Sequence, residues 1–138
     1  MNRLGVHSKR ELVGVHAHLV IVVATAIVML PEGIDFQVFD GMRTKAEQAE
    51  NIARGVSWTM KSRHLTGHAV DLVPIVDGRL SWDDNDDADR QARINHAFSC
   101  ISVAMSEAAL LHSIPVQSGW DLWGKDKPHF QLPKRYYA

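Results

Sequence analysis

One carboxylate is out of place in this chain. Asp71 stands inside the stretch Ala69 to Val76, whose other members are apolar or proline. Alternation puts Val70 and Leu72 on one face and Asp71 and Val73 on the other, which is the pattern of a strand. Asp77-Gly78 then supplies a hairpin turn, with a return strand over Arg79 to Trp82. An ionised carboxylate in such a strand carries a severe desolvation penalty unless it is paired, hydrogen-bonded or bound to a metal. A chain that keeps Asp71 must therefore fold so as to bring partners to it. Just upstream, the segment Ser62-Arg63-His64 delivers an imidazole from a loop.

A second segment points the same way. In Asp126-Lys127-Pro128-His129-Phe130-Gln131-Leu132, Phe130 and Leu132 suit the core face of a short strand, which turns His129 to the opposite face. Laid antiparallel beside Ala69 to Val76, this strand brings His129 to Asp71, with His64 reaching in from its loop. Two histidines and one carboxylate with a fourth position open match catalytic zinc; structural zinc has four protein ligands and favours thiolates. The single cysteine, Cys100, excludes a thiolate cluster and reads as a buried thiol in a helix. Asp126, three residues before His129, is placed to take a proton as a general base. Arg43 is a permanent cation suited to a substrate carboxylate or an oxyanion, and Ser62 can add a hydrogen bond. Of the 8 histidines, His7, His16, His18, His96 and His112 read as ordinary, and His68 at most as support to a ligand.

The remaining elements follow from caps and periodicity. Ser8 with Glu11 reads as a capping box, and the apolar run Val15 to Leu30 as a buried helix stopped by Pro31 and Gly33. Ile34 to Phe39 alternates as a strand. Thr44 with Glu47 opens a helix through Ala53, closed by Gly55, which fixes Arg43 at a strand-to-helix corner. The acidic residues Asp83, Asp84, Asp86 and Asp87 suit the start of a long helix to Leu111, in preference to a calcium loop. Its core stripe is Ile94, Ala97, Phe98, Ile101, Met105, Ala108 and Leu111, and Pro115 ends it. Val116 to Ser118 and His129 to Leu132 are short strands around a loop with Trp120 and Trp123, which suit a groove and a core equally well. The expected fold is α+β: a small antiparallel sheet carrying the zinc site, packed against helices.

Size and charge narrow the class. A chain of 138 residues fits a single domain over residues 1–138. With 15 Lys and Arg against 16 Asp and Glu, the net charge of −1 offers no field for a nucleic-acid backbone, so no nucleic-acid partner is expected. Leu12 to Leu30 approaches the roughly 20 residues of a membrane span. It contains His16 and His18, Gly14 interrupts it, and no basic region with a cleavage site precedes it. No stable membrane insertion and no signal peptide are expected.

The pattern Ser62-x-His64 with Asp71, and Asp126-x-x-His129, resembles the D-Ala-D-Ala carboxypeptidase and L-alanyl-D-glutamate endopeptidase superfamily of zinc peptidases. Gly41-Met42-Arg43-Thr44 and Gln48 resemble the entry to its substrate site, and the Arg43-Thr44-x-x-x-Gln48 form looks most like small phage endolysins. The resemblance implies Zn2+ on His64, Asp71 and His129, base action by Asp126 where many relatives use glutamate, oxyanion support from Arg43, and substrate contacts from Ser62 and Gln48. It implies an enzyme that cuts the L-Ala–D-Glu bond of the peptidoglycan stem peptide and so lyses bacteria. The alternatives are a D-Ala-D-Ala carboxypeptidase and a non-catalytic zinc-binding wall-adhesion domain; a membrane-inserting lysis protein is a third. The expected state is a monomer held in the host cytoplasm, reaching the wall when a separate factor opens the membrane.

Overall fold

The computed structural model describes residues 2–57 and 59–138. Along the chain come α1 (Val6–Glu11), α2 (Ala17–Met29), β1 (Phe36–Asp40), α3 (Lys45–Ala53), a 3-10 turn (Arg63–Thr66), β2 (Ala69–Val76) and β3 (Arg79–Leu80). They are followed by α4 (Ala88–His112), β4 (Gln117–Ser118), α5 (Gly119–Trp123) and β5 (His129–Gln131). The strands form an antiparallel sheet in the order β1-β2-β5-β4, with β3 paired to the end of β2. This is the α+β architecture expected from the sequence.

The core lies between the sheet and α2 with α4. Val38, Val70, Leu72 and Leu132 meet Leu19, Val22, Val23, Ile101 and Met105, all 1% exposed or less. Burying each such side chain contributes about 1.5–3 kcal/mol, so the apolar sequence of α2 is used inside the fold. At 13 residues α2 is shorter than a membrane span. The 25-residue α4 is long and apolar enough to cross one, by length and composition alone. Its face from Ile94 through Ala108 is buried, in contact with α2 and β2.

Local rules held where the capping groups stayed local. Thr44 and Glu47 make the reciprocal capping box of α3, with Glu47 N donating to Thr44 Oγ1 at 3.1 Å and Thr44 N to Glu47 Oε1 at 3.0 Å. Asp87 caps α4 by accepting from Arg90 N at 3.0 Å. The expected Ser8–Glu11 box is absent. Gly5 precedes α1, and Ser8, 2% exposed, instead accepts from Val38 N at 2.9 Å. The hydroxyl satisfies a buried strand amide, and that tertiary demand overrides the local motif.

Three smaller expectations change. The return strand stops at Leu80, because Ser81 turns inward to meet the guanidinium of Arg90. Leu111 is 68% exposed, since the last turn of α4 runs past its packing partners. Cys100 is half-buried rather than buried, its Sγ 3.5 Å from His96 Nε2.

A bulge between Val38 and Asp40 shifts the β1–β2 register, so that Asp40 comes opposite Asp71 while Phe39 is pushed to the surface. Bulges re-aim side chains in this way, and here the result is a second carboxylate beside the first.

Candidate metal centre

The register of β5 on β2 pairs His129 directly with Asp71. The Ser62 hydroxyl caps the 3-10 turn by accepting from His64 N at 3.3 Å, which fixes His64 on the turn beside them. Gly67 closes that turn at φ 74°, and a Cβ there would lie 2.3 Å from the carbonyl of Gly14. Only glycine fits, and His16 N, donating to Gly67 O at 2.8 Å, ties the turn to α2.

His64 Nε2 stands 3.2 Å and His129 Nδ1 3.4 Å from the same oxygen, Asp71 Oδ1. One donor atom from each of the three residues lies within 4.8 Å of the others, and both histidines are nearly fully buried. The outer ring nitrogens are engaged. His64 Nδ1 donates to the carbonyl of Gly41 at 2.7 Å, and His129 Nε2 donates to Gln131 Oε1 at 2.8 Å. A backbone carbonyl accepts only, so the Gly41 contact places the His64 proton on Nδ1. The inner nitrogens are then lone pairs aimed at a carboxylate oxygen, acceptor against acceptor, and a cation among the three atoms resolves the conflict.

A tetrahedral zinc with ligands at about 2.0–2.1 Å sets its donor atoms roughly 3.3 Å apart, which is the spacing of each histidine nitrogen from Asp71 Oδ1, with all three donor atoms within 4.8 Å of one another. The donor set, the outer hydrogen bonds and the spacing all fit zinc. Without the metal, protons do the same work. Burial favours neutral forms, yet the charge on His64 and the hydrogen bonds from His129 and His64 hold the Asp71 carboxyl far below its usual range. His129 is raised, because its hydrogen bond and attraction to Asp71 outweigh its burial.

Arg43 sits at the corner expected for it, its N donating to His64 O at 2.9 Å. Its guanidinium is largely engaged: Nε pairs with Asp40 Oδ2 at 2.5 Å, Nη1 donates to Gln48 Oε1 at 2.8 Å, and Nη2 donates to Asp71 Oδ2 at 3.1 Å. Arg43 still borders the cleft. Asp126 borders it too, held at φ 64° with its carbonyl accepting from His129 N at 3.1 Å. A left-handed non-glycine residue is a position a fold keeps only where its surroundings enforce it. Gly119 contributes by close approach, since a Cβ there would stand 2.4 Å from Asp126 O and 3.0 Å from His129 Cβ. Burial, then repulsion from Asp71, raises the Asp126 carboxyl above its ordinary value.

The cleft passes over the three ligands in two arms that share Arg43, Val56, Asp71 and Asp126. The wide arm, about 690 Å³, is lined by Phe39, Trp82, Trp120, Arg54 and Lys127 among others. The narrow arm, about 130 Å³, runs past Ser57, Thr59, Ser62 and Trp123. Ser62 thus borders the cleft. Gln48 does not reach it: the side chain is 0% exposed, which runs against the substrate contact implied for it. His68 lies apart, its Nδ1 on Thr66 Oγ1 at 2.7 Å and its ring near His16. Trp120 and Trp123 are rim residues, 55% and 42% exposed. Sequence reasoning missed Asp40, the Gly41 carbonyl and Gln131. Gln131 was accessible, being two residues along the same strand face as His129; the place of Asp40 depends on a bulge that no local pattern announces.

An antiparallel sheet that carries a buried two-histidine, one-carboxylate centre at the floor of a cleft, with an acid and an arginine alongside, is the architecture of a zinc peptidase. The chain belongs to the phage L-alanyl-D-glutamate peptidase family, whose model matches residues 1–131. It is 29% identical over 138 residues to the L-alanyl-D-glutamate peptidase of Escherichia phage T5, covering 98% of this chain and 92% of that one. A Listeria phage L-alanyl-D-glutamate peptidase is 40% identical over 50 residues, covering 36% of this chain and 18% of that protein. Among solved structures, the Serratia marcescens L-Ala D-Glu endopeptidase ChiX superposes with a TM-score of 0.79 at 38% identity, covering 99% of this chain and 93% of that one.

Proposed function

We propose that this protein is a zinc-dependent peptidoglycan endopeptidase that hydrolyses the L-Ala–D-Glu bond of the stem peptide. The observation that carries this reading is the meeting of His64, Asp71 and His129 on one carboxylate oxygen, at the floor of a cleft that Asp126 and Arg43 border. Family membership and the names of the relatives supply the bond.

His64, Asp71 and His129 would hold the zinc, which supplies Lewis acidity toward the scissile carbonyl and toward water. Asp126 takes the proton from the attacking water and returns it to the leaving amine of D-Glu. Its raised pKa suits the second transfer, because a less acidic carboxyl holds the proton it must pass on. Arg43 has five N–H groups, of which three meet Asp40, Gln48 and Asp71. The other two remain to steady the developing oxyanion. Ser62 borders the narrow arm and offers its hydroxyl to the peptide.

Mass spectrometry of peptidoglycan digested with zinc-loaded and chelator-treated protein tests the reading. New D-Glu amino termini that appear only with zinc support it. Release of terminal D-Ala would move the protein to the carboxypeptidase branch, and no product on several wall types would leave a wall-binding domain.

The same reading makes the protein a monomer held in the host cytoplasm until a separate factor opens the membrane. Its support is that α2 and α4 turn apolar faces to the core. Expression with and without a membrane-permeabilising agent tests it: lysis should require the agent.

A further inference from the structure

Gln48 is the one buried residue of α3, a helix that otherwise faces largely outward. A buried amide is costly unless its hydrogen-bonding capacity is used, and here it is used at both ends. Oε1 accepts from Arg43 Nη1 at 2.8 Å, while Nε2 donates to Ser57 Oγ at 2.6 Å and to Thr59 O at 2.6 Å. Chemistry fixes the orientation of the amide: a guanidinium only donates and a backbone carbonyl only accepts, so the two ends cannot be exchanged. One side chain thereby joins two parts of the cleft. Ser57 and Thr59 belong to the wall of the narrow arm, and Arg43 is the group that occupies Asp71 Oδ2.

That last contact has a consequence for the metal ligand. With Oδ2 taken by Arg43 Nη2, Asp71 turns Oδ1 alone toward His64 and His129. Asp40 fixes the Nε edge of the guanidinium, and Gln48 fixes the Nη1 corner, so together they set the plane in which Nη2 meets Asp71. We infer that Gln48 is a positioning residue that couples the wall of the narrow arm to the metal-ligating carboxylate, acting through Arg43 and touching neither substrate nor zinc. The inference rests on the peptidase reading above and replaces the substrate contact expected for Gln48 from the sequence.

The two ends of the amide can be separated by substitution. Gln48→Glu keeps an acceptor for Arg43 and can still accept from the Ser57 hydroxyl, but sets a carboxylate oxygen against Thr59 O, so it breaks the Thr59 link to the wall alone. Gln48→Met fills the volume and breaks both. For the wild type and each variant, zinc affinity is measured by competition with a chromogenic chelator, kcat and KM on a defined stem peptide, and the melting of the zinc-free protein.

Gln48→Glu should raise KM several-fold with zinc affinity held. Gln48→Met should also weaken zinc binding by about 10–100-fold, the range for losing an outer support of a metal ligand, and lower kcat. If both variants shift only the melting temperature, Gln48 is merely structural and the inference is overturned. Equal KM increases with zinc affinity unchanged in both would overturn it too, in favour of direct substrate contact. Should Gln48→Met fail to fold, Gln48→Leu takes its place, since it too lacks an acceptor for Arg43: weakened zinc binding supports the coupling, and unchanged zinc affinity overturns it. A wild type that shows no zinc-dependent cleavage removes the peptidase reading itself, an outcome distinct from any change among the variants.

Discussion

β2 buries a charge at each end, and the two are compensated differently. At the hairpin end, Arg90 of α4 is 6% exposed, with Asp77 at 3.1 Å, Asp84 at 3.3 Å, Val76 O at 3.2 Å and the Ser81 hydroxyl around it. Its partners are carboxylates and fixed dipoles, so the cluster is complete as it stands. At the other end, Asp71 meets one permanent cation, Arg43, and two imidazoles whose charge depends on what they bind. That cluster needs a proton or a metal to complete it, and it opens to a cleft. A buried charge with fixed partners holds elements together; a buried charge with conditional partners on a cleft floor binds something.

Substitutions at the two ends should therefore fail in different currencies. Asp71→Asn or His64→Ala should abolish zinc binding and cleavage together while circular dichroism stays native, and retained cleavage in either would break the contrast. Asp126→Ala should bind zinc and fold but lose about 10²–10⁴ in kcat, the usual worth of a positioned base; unaltered kcat would remove it from that role.

Arg90→Met should do the converse. Its cost should fall below the roughly 3–5 kcal/mol of a fully buried broken pair, at about 2 kcal/mol, because Val76 O and Ser81 lose a donor while the carboxylates remain partly solvated. Denaturant melts would show the loss, with kcat per folded molecule unchanged.

The pH profile sharpens the comparison further. In the proposed role of base Asp126 must be ionised, and burial followed by the charge of Asp71 raises its pKa. Activity should be present above that pKa and lost as pH falls through it, on a limb above the ordinary 3.8. Asp126→Glu should move the limb, while Arg90→Met should not. The smallest effect belongs to the far end of α4: Leu111→Ala should change stability by about 0.5 kcal/mol or less, against about 2–5 for Ile101→Ala.

The metal centre was legible because its signal is a conflict that a single sequence displays, a carboxylate among Val70, Leu72 and Val73. Alternation gave the faces on which Asp71 and His129 can meet; the pairing of β5 with β2 in that register is set by the fold. Thr44 with Glu47 was legible because both partners sit within one turn. Ser8 with Glu11 shows the same spacing and misleads, since the hydroxyl of Ser8 goes to Val38, 30 residues away. Gln48 was given a substrate contact by the resemblance to the family's substrate site, and a polar residue on a polar helix gives no sign of burial that would have opposed it. Its place depends on hydrogen bonds to Ser57 and Thr59, 9 and 11 residues further along the chain, and the pairing of Asp40 with Arg43 depends on the bulge at Phe39. What escaped sequence reasoning is the part set by contacts between distant segments.

Native mass spectrometry of the zinc-loaded protein tests the central claim most directly. One zinc per chain is expected for the wild type and for Asp126→Ala, and none for His64→Ala, Asp71→Asn or His129→Ala. Zinc retained by any of these last three would place the metal elsewhere and contradict the account.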